Sequence, residues 1–203
     1  MLKRKKITSK GEWERFVLIF EMACRGHKSV ALSYLENARV TVFYHPKRPD
    51  EWIAGYVVNS STPFRYFEVL SDTKKTNLLA QFTMLEGEIS EVTCIWIDNT
   101  KASKKERLQV YFYSMIDAFK AGKKYIFGGS TEQKVMAIQK PIMPHDFADG
   151  IARIGDEVTP FQIYYVGRWE SIYTMSRFLI RQLFDKKRRN TPPVVTSPLP
   201  QAI

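Results

Sequence analysis

The chain has 203 residues, of which 44% are hydrophobic and 13% aromatic, so it can bury one sizeable core and one domain is expected. Its formal net charge of +10 is concentrated at the two ends, because residues 1–10 carry five cations without an acid and residues 185–190 carry four against one. No apolar run approaches the ~20 residues that a membrane span needs. Cys24 and Cys94 lie in apolar stretches, which indicates free thiols and predicts a cytoplasmic protein.

Three regions are predicted from the distribution of charge and proline. Residues 1–10 form a basic leader and residues 11–185 a single domain. Residues 186–203 contain four prolines and four cations, which predicts a disordered basic tail. The three histidines are dispersed, and no Cys/His spacing indicates a metal site.

Several elements are predicted from apolar spacing on either side of the central part of the chain. In chain order they are an amphipathic helix at 11–26, a short helix at 28–38 with a strand as the alternative, β-runs at 38–44 and 51–59, a strand or aromatic-rich turn at 63–70, a helix at 71–83, an irregular segment at 141–150, a strand at 161–166 and a closing helix at 170–184. Pro46 and Pro49 predict a longer loop between the two β-runs.

The strongest pattern is a β-α-β-α unit at residues 91–139. The apolar run at 91–99 predicts a strand that is covered on both sides. Its two faces are predicted from alternation: Val92, Cys94 and Trp96 on one side, and Thr93, Ile95 and Ile97 on the other.

The next element of this unit is a helix with clear ends. Ser103 and Glu106 form an S-x-x-E capping box, and Gly122 stands where a glycine ends a helix. A second buried strand at 123–130 and a second helix at 131–140 follow. Because a helix connects the two strands, they are predicted to be parallel with a right-handed crossover.

This order of elements resembles the GNAT superfamily of N-acetyltransferases over roughly residues 11–168. The resemblance implies an α/β (α+β, mixed-sheet) fold, with a central mixed β-sheet flanked by helices. It also implies an acyl-CoA-dependent N-acyltransferase that acts on an unidentified amine, with acetyl-CoA or a longer acyl-CoA as cosubstrate and no metal. The pantetheine arm would lie between the strands at 92–98 and 125–128.

The resemblance implies two groups of cofactor-binding residues. The backbone of Ile95 and Ile97 would pair with the pantetheine arm. The pyrophosphate would lie at the following helix start, where unpaired N–H groups and cations attract an anion. The residues implied there are Thr100, Lys104, Lys105, Arg107 and Leu108.

The sequence departs from the family at this helix start. The family motif is Q/R-x-x-G-x-G/A, in which small residues let the backbone approach the pyrophosphate. No glycine lies between Gly87 and Gly122, and Arg107 and Gln109 stand near the glycine positions. Their side chains must turn away if a cofactor is to bind.

Three residues are candidates for proton transfer under this resemblance. Glu91 stands at the family's base position, with a solvated carboxylate as the alternative. His145 stands next to Asp146, whose carboxylate would orient the imidazole, with an exposed loop histidine as the alternative. Tyr164 is the candidate acid on the late strand, with core packing as the alternative.

A second interpretation is a non-catalytic protein of the same architecture. Its basic termini would contact an acidic protein or nucleic acid, and the missing glycines favour it. The aromatic residues around Arg65 suit a half-buried strand, which we favour, or base stacking. The sequence also leaves a homodimer open.

Overall fold

The chain folds around one mixed β-sheet, and the computed structural model describes residues 1–24, 29–154 and 157–189. Within these ranges seven strands lie in the order β1-β2-β3-β4-β5-β7-β6. The strands are β1 (Lys3–Ile7), β2 (Arg39–His45), β3 (Arg48–Asn59), β4 (Ile89–Ile97), β5 (Tyr125–Ser130), β6 (His145–Ile154) and β7 (Glu157–Gly167). The α-helices are α1 (Lys10–Ala23), α2 (Leu32–Glu36), α3 (Asp72–Gln81), α4 (Lys104–Lys120), α5 (Gln133–Gln139) and α6 (Glu170–Arg189).

The predicted β-α-β-α unit is β4-α4-β5-α5, and its two strands are parallel, as predicted. The capping box is confirmed, since the Glu106 N–H donates to Ser103 Oγ at 3.3 Å and the Ser103 N–H donates to Glu106 Oε2 at 3.1 Å. Gly122 follows α4 with a φ of 79°, a conformation that favours glycine. The α/β fold with a central mixed sheet and flanking helices is therefore confirmed.

Helices cover both faces of the sheet and give each face its own hydrophobic core. The α4 face, which also carries α5 and α6, buries a cluster that includes Val92, Val110, Met115, Ile126 and Tyr164. The α1 face buries two clusters side by side. One packs around α1 and includes Phe16, Phe20, Val42, Cys94 and Trp96, and the other packs around α3 and includes Phe64, Phe67, Phe127, Phe147 and Phe161.

The two outermost strands differ from the prediction. Residues 3–7, within the predicted basic leader, form β1 and pair with β2. Residues 145–150, within the segment predicted to be irregular, belong to β6 and pair with β7. Both strands lie at the edges of the sheet, where charges and prolines near a strand are tolerated because one side makes no ladder hydrogen bonds.

The remaining elements mostly follow the prediction. The segment at 28–38 contains the short helix α2. The segment at 63–70 contains a 3₁₀ turn, Arg65–Phe67, which fits the aromatic-rich turn, so the half-buried strand that we favoured for the aromatic residues around Arg65 is wrong. The predicted longer loop is wrong, because β2 and β3 leave only Pro46 and Lys47 between them. Gly26, the predicted end of the first helix, lies outside the described residues.

The C-terminal helix runs past the predicted domain end. α6 continues to Arg189, so it includes the first residues of the predicted tail, and residues 190–203 lie outside the described part of the chain. None of the helices in the described ranges has both the length and the apolar character that crossing a membrane requires.

Candidate active site

The parallel strands β4 and β5 pair over only three residues. Ile89, Ser90 and Glu91 align with Tyr125, Ile126 and Phe127, and no pairing follows. β4 continues to Ile97 and β5 to Ser130, each still paired on its other side. Two strands in the middle of the sheet therefore present unpaired inner edges to each other. We call the space between these edges, from Val92 and Gly128 onward, the cleft.

A bulge in β4 accompanies this separation and corrects the predicted faces of the strand. Between the pairs Val57–Thr93 and Gly55–Trp96, β4 uses one residue more than β3, and Cys94 has a φ of 49°. The extra residue reverses the alternation. Val92 therefore shares the α4 face with Ile95 and Ile97, and not the α1 face with Cys94 and Trp96, as the sequence had predicted.

The Tyr66 side chain lies at the narrow end of the cleft. Its hydroxyl donates to the Val92 carbonyl oxygen at 2.7 Å and lies 3.1 Å from the Gly129 carbonyl oxygen. It thus bridges the two strands at the point where their own pairing has ended. A Cβ at Gly129 would lie 3.0 Å from the Tyr66 ring and 2.7 Å from the Gln162 carbonyl oxygen, so this bridge requires glycine.

Glu91, the predicted base, lies at the last paired position and is fully buried. Its carboxylate accepts hydrogen bonds from the Tyr34 hydroxyl at 2.6 Å, the Arg65 N–H at 2.9 Å, the Tyr66 N–H at 3.2 Å and the Asn59 amide at 3.3 Å. Burial raises the pKa of Glu91, and these hydrogen bonds act in the opposite direction. The carboxylate fixes the 3₁₀ turn, and with it Tyr66, against β4.

A cavity of about 570 Å³ opens beyond the Tyr66 bridge. It passes both edges of the cleft, because its lining includes Thr93, Cys94 and Ile95 of β4 and Gly129 and Ser130 of β5. Further lining residues come from both faces of the sheet: Phe20, Arg65, Glu68, Phe161, Glu132, Val135 and Gln139. The volume lies within the range of small-molecule sites, about 300–1,000 Å³. A ligand in this cavity would reach from the α1 face to the α4 face through the sheet.

The wall of the cavity contains a buried polar group without a hydrogen-bond partner. Gln139, at the end of α5, is only 3% exposed, and its Oε1 has no partner among the described residues. Leaving such a group unsatisfied costs about 1–3 kcal/mol. Gln139 lines the cavity, but its Oε1 is closed to solvent, so a ligand N–H would supply the missing hydrogen bond only after this side chain turns.

The cofactor residues predicted at the start of α4 do not line the cavity. Thr100 is exposed, and its N–H and hydroxyl both bind Asp98 Oδ1. Lys104 and Lys105 are exposed, whereas Leu108 packs against the core of the α4 face. Of the two implied backbone positions, Ile95 lines the cavity and Ile97 continues β4 beyond it.

The two side chains near the motif's glycine positions are bound elsewhere. Gln109 exchanges hydrogen bonds with the backbone of Leu2 in front of β1, at 2.9 and 3.2 Å. Arg107 donates to Asn99 Oδ1 at 3.2 Å, in the loop after β4. Neither lines the cavity, so the cleft is not filled by these side chains.

The other two proton-transfer candidates lie away from the cavity lining. His145 Nε2 lies 2.9 Å from Glu170, whereas the neighbouring Asp146 binds Lys140, so the carboxylate beside this imidazole is not the predicted one. Tyr164 is fully buried in the core of the α4 face, and burial raises its pKa to about 12. The structure therefore does not bring Glu91, His145 and Tyr164 together.

Sequence reasoning missed the cavity residues of the 3₁₀ turn as a functional group. Arg65, Tyr66 and Glu68 all line the cavity. The available signal was the aromatic-rich turn at 63–70, which begins with Pro63 and therefore suits an irregular connection. Nothing in the spacing showed that this turn lies against β4.

The comparisons with known proteins rest on structure. No protein-family profile and no curated protein matches the chain. FeeM, an N-acyl amino acid synthase from uncultured soil microbes, is similar with a TM-score of 0.64 and 12% identity, over 84% of this chain and 93% of that one. The structure of yncA from Salmonella typhimurium with its cofactor acetyl-CoA has a TM-score of 0.54 and 10% identity, over 82% of this chain and 94% of that one. The AHL synthase LasI has a TM-score of 0.55 and 8% identity, over 81% of this chain and 89% of that one.

Proposed function

Because the chain has the fold of the GNAT superfamily of N-acetyltransferases, we propose that it is an acyl-CoA-dependent N-acyltransferase that transfers an acyl group to an amine. The observation that supports this most directly is the cleft, since unpaired strand edges border a cavity that spans both faces of the sheet. An acyl donor entering from one face and an amine entering from the other would meet between β4 and β5.

The residues present suit the thioester arm of an acyl-CoA better than its phosphates. The unpaired edge of β4 at Ile95 and Ile97 offers backbone groups to the amides of the pantetheine arm, and the Gln139 amide offers an acceptor. The start of α4 is partly satisfied by its own capping box, and Lys101 is paired with Glu51 and Asp98. Lys104, Lys105 and Arg107 would hold the phosphates.

We assign to Glu68 the role of the base that takes the proton from the amine. This carboxylate is exposed, follows the 3₁₀ turn and lines the cavity among residues of the α1 face. The amine nitrogen adds to the thioester carbonyl, a C–N bond forms and the C–S bond breaks. The thiolate of the donor leaves, and Glu68 takes the proton from nitrogen. Glu91, whose carboxylate already accepts four hydrogen bonds, would position the 3₁₀ turn.

Titration with acetyl-CoA and with longer acyl-CoAs tests the proposal, by calorimetry and by thermal shift. We expect saturable heat and a raised Tm, followed by thiol release when a panel of amines is added. Val135→Trp fills the cavity from α5 and should abolish binding, whereas Lys134→Trp, on the exposed side of the same helix, should not. The absence of heat and of any shift at millimolar acyl-CoA would exclude the proposal.

The second candidate is a non-catalytic binding protein that contacts an acidic protein or nucleic acid through its basic termini. The self-capped start of α4 favours it, but the N-terminal cations are partly neutralised, as Arg4 pairs with Asp117 and Lys5 with Glu12. Removal of residues 186–203, which include all four cations of the tail, tests it, because salt-sensitive binding that survives this truncation excludes a role for the tail.

A further inference from the structure

Arg65 gives the cavity a cationic wall on the α1 face. The residue lines the cavity, and its guanidinium lies 5.4 Å from the centre of the Phe20 ring. Its Nη1 donates to Cys94 Sγ at 3.3 Å. A thiol is a weak acceptor, and burial raises the pKa of this thiol to about 11, so it is neutral near pH 7. The guanidinium therefore lacks a strong acceptor at this contact.

The carboxylates around Arg65 do not supply such an acceptor. Glu91 binds the backbone N–H of Arg65, not its guanidinium. Glu68 acts on Arg65 electrostatically, but among the described residues no carboxylate forms an ion pair with it. A guanidinium presents five N–H donors in a planar fork that matches a carboxylate. Burying a guanidinium without a bound anion costs free energy.

The position of Arg65 favours an anion on the acceptor over an anion on the donor. The cations at the start of α4 follow the C-terminal end of β4, and α4 packs on the face of the sheet opposite to α1. Arg65 lies among residues of the α1 face, beside Glu68. A cation and a carboxylate on one wall are complementary to a zwitterion, which carries an ammonium group and a carboxylate.

We propose that the acceptor is an amino acid, whose carboxylate binds the Arg65 guanidinium and whose amine lies at Glu68. This inference rests on the proposed acyltransferase function and adds the substrate class. It makes Arg65 the residue that determines acceptor specificity. Substitution of its side chain leaves intact the backbone N–H that binds Glu91, so the 3₁₀ turn is retained.

The experiment compares acylation of a mixed panel of amino acids with that of the matched amino acid amides, which lack the carboxylate. With acetyl-CoA or a longer acyl-CoA as donor, the products are measured by mass spectrometry. We expect the wild type to prefer the acids by about 10- to 100-fold in kcat/KM, the usual effect of a charge-assisted hydrogen bond. Arg65→Gln should reduce that preference below about 3-fold, mainly through KM, and Arg65→Lys should restore part of it.

Arg15→Gln is the matched control, since this guanidinium lies over Trp52 outside the cavity, and it should keep the wild-type preference. Equal acylation of acids and amides, or an unchanged preference in Arg65→Gln, overturns the inference. A separate titration with the amino acid panel in the absence of donor distinguishes the two proposals. Acyl-CoA binding without Arg65-dependent binding of any amino acid removes the substrate assignment alone, whereas absent acyl-CoA binding removes the transferase.

Discussion

The two ends of the β4–β5 pair are built in opposite ways. At the closed end, three residue pairs align and the buried Glu91 carboxylate accepts four hydrogen bonds. At the open end the strands no longer pair, Gln139 Oε1 has no partner among the described residues, and the Arg65 guanidinium donates to a thiol. The closed end thus satisfies its polar groups within the protein, whereas the open end holds polar groups with a weak partner or none among the described residues.

This difference separates residues that stabilise the fold from residues that act on substrate. A buried polar group costs free energy unless it is paired. An unpaired group inside a cavity is therefore a feature that ligand binding would relieve. Tyr66 lies at the border between the two ends, since its hydroxyl is within hydrogen-bond distance of the Val92 carbonyl oxygen in β4 and the Gly129 carbonyl oxygen in β5.

The largest effect is expected from removing the carboxylate at the closed end. Glu91→Ala leaves the Tyr34 hydroxyl and the N–H groups of Arg65 and Tyr66 without an acceptor, and should lower the free energy of unfolding by about 5 kcal/mol. Urea denaturation measures this loss. Glu91→Gln keeps one acceptor oxygen and should fold and retain turnover. A well-folded Glu91→Gln without turnover would return Glu91 to the role of base.

The next effect is catalytic and belongs to the open end. Glu68→Gln should lower kcat at least on the order of 100-fold, about 2.7 kcal/mol, because the proton acceptor is lost. Because Glu68 is exposed, the free energy of unfolding of the Glu68→Gln variant should be close to that of the wild type. Glu132→Gln is the matched control, since Glu132 lines the cavity at the start of α5. Equal losses in both variants would contradict the assignment to Glu68.

A smaller effect is expected at Gln139, where one substitution should raise stability and weaken acyl-CoA binding. Gln139→Met removes the unsatisfied oxygen while keeping the volume, so the free protein should gain about 1 kcal/mol of stability. The same change should weaken acyl-CoA binding by roughly 10-fold, because the donor loses an acceptor. Thermal denaturation and calorimetry measure the two quantities. A variant that loses stability but keeps its affinity would show that Gln139 serves the fold.

The smallest effect lies far from both ends and depends on pH. The ion pair with Lys5, helped by hydrogen bonds from Thr8 and Ser9, lowers the pKa of Glu12 from 4.5 to about 2. The charged carboxylate therefore stabilises the fold above about pH 4.5, and this contribution is lost as the pH falls towards about 2. Glu12→Gln should remove less than about 1 kcal/mol near pH 7 and flatten the acid limb of stability against pH. Acyl-CoA affinity at neutral pH should not change, and a change would contradict the separation of this contact from the cleft.

The sequence predicted the centre of the sheet better than its edges. The β4-α4-β5-α5 unit has apolar strands, a capping box and a terminal glycine, so its local signals agree with its position. β1 has four exposed cations in a strand of five residues, and β6 follows a segment with two prolines. Edge strands need little apolar character, so patterning alone does not detect them.

The candidate site was predicted in position but not in composition. The resemblance implied that a ligand would lie between β4 and β5, with Glu91 beside that space, and the structure has a cavity between these strands. The bulge at Cys94 and the approach of the 3₁₀ turn to β4 are long-range features, set by pairing with β3 and by hydrogen bonds to Glu91. No local spacing specifies them, so Arg65 and Glu68 were not recognised as cavity residues.

Hydrogen–deuterium exchange with and without saturating acyl-CoA tests the use of the cleft most directly. We predict that bound acyl-CoA slows exchange at the backbone amides of residues 93–97 and 128–130, on the two unpaired edges, and leaves the paired residues 89–91 unchanged. Acetyl-CoA and a longer acyl-CoA should protect the same segments. Protection confined to the termini, or none at all under conditions of binding, would contradict the account.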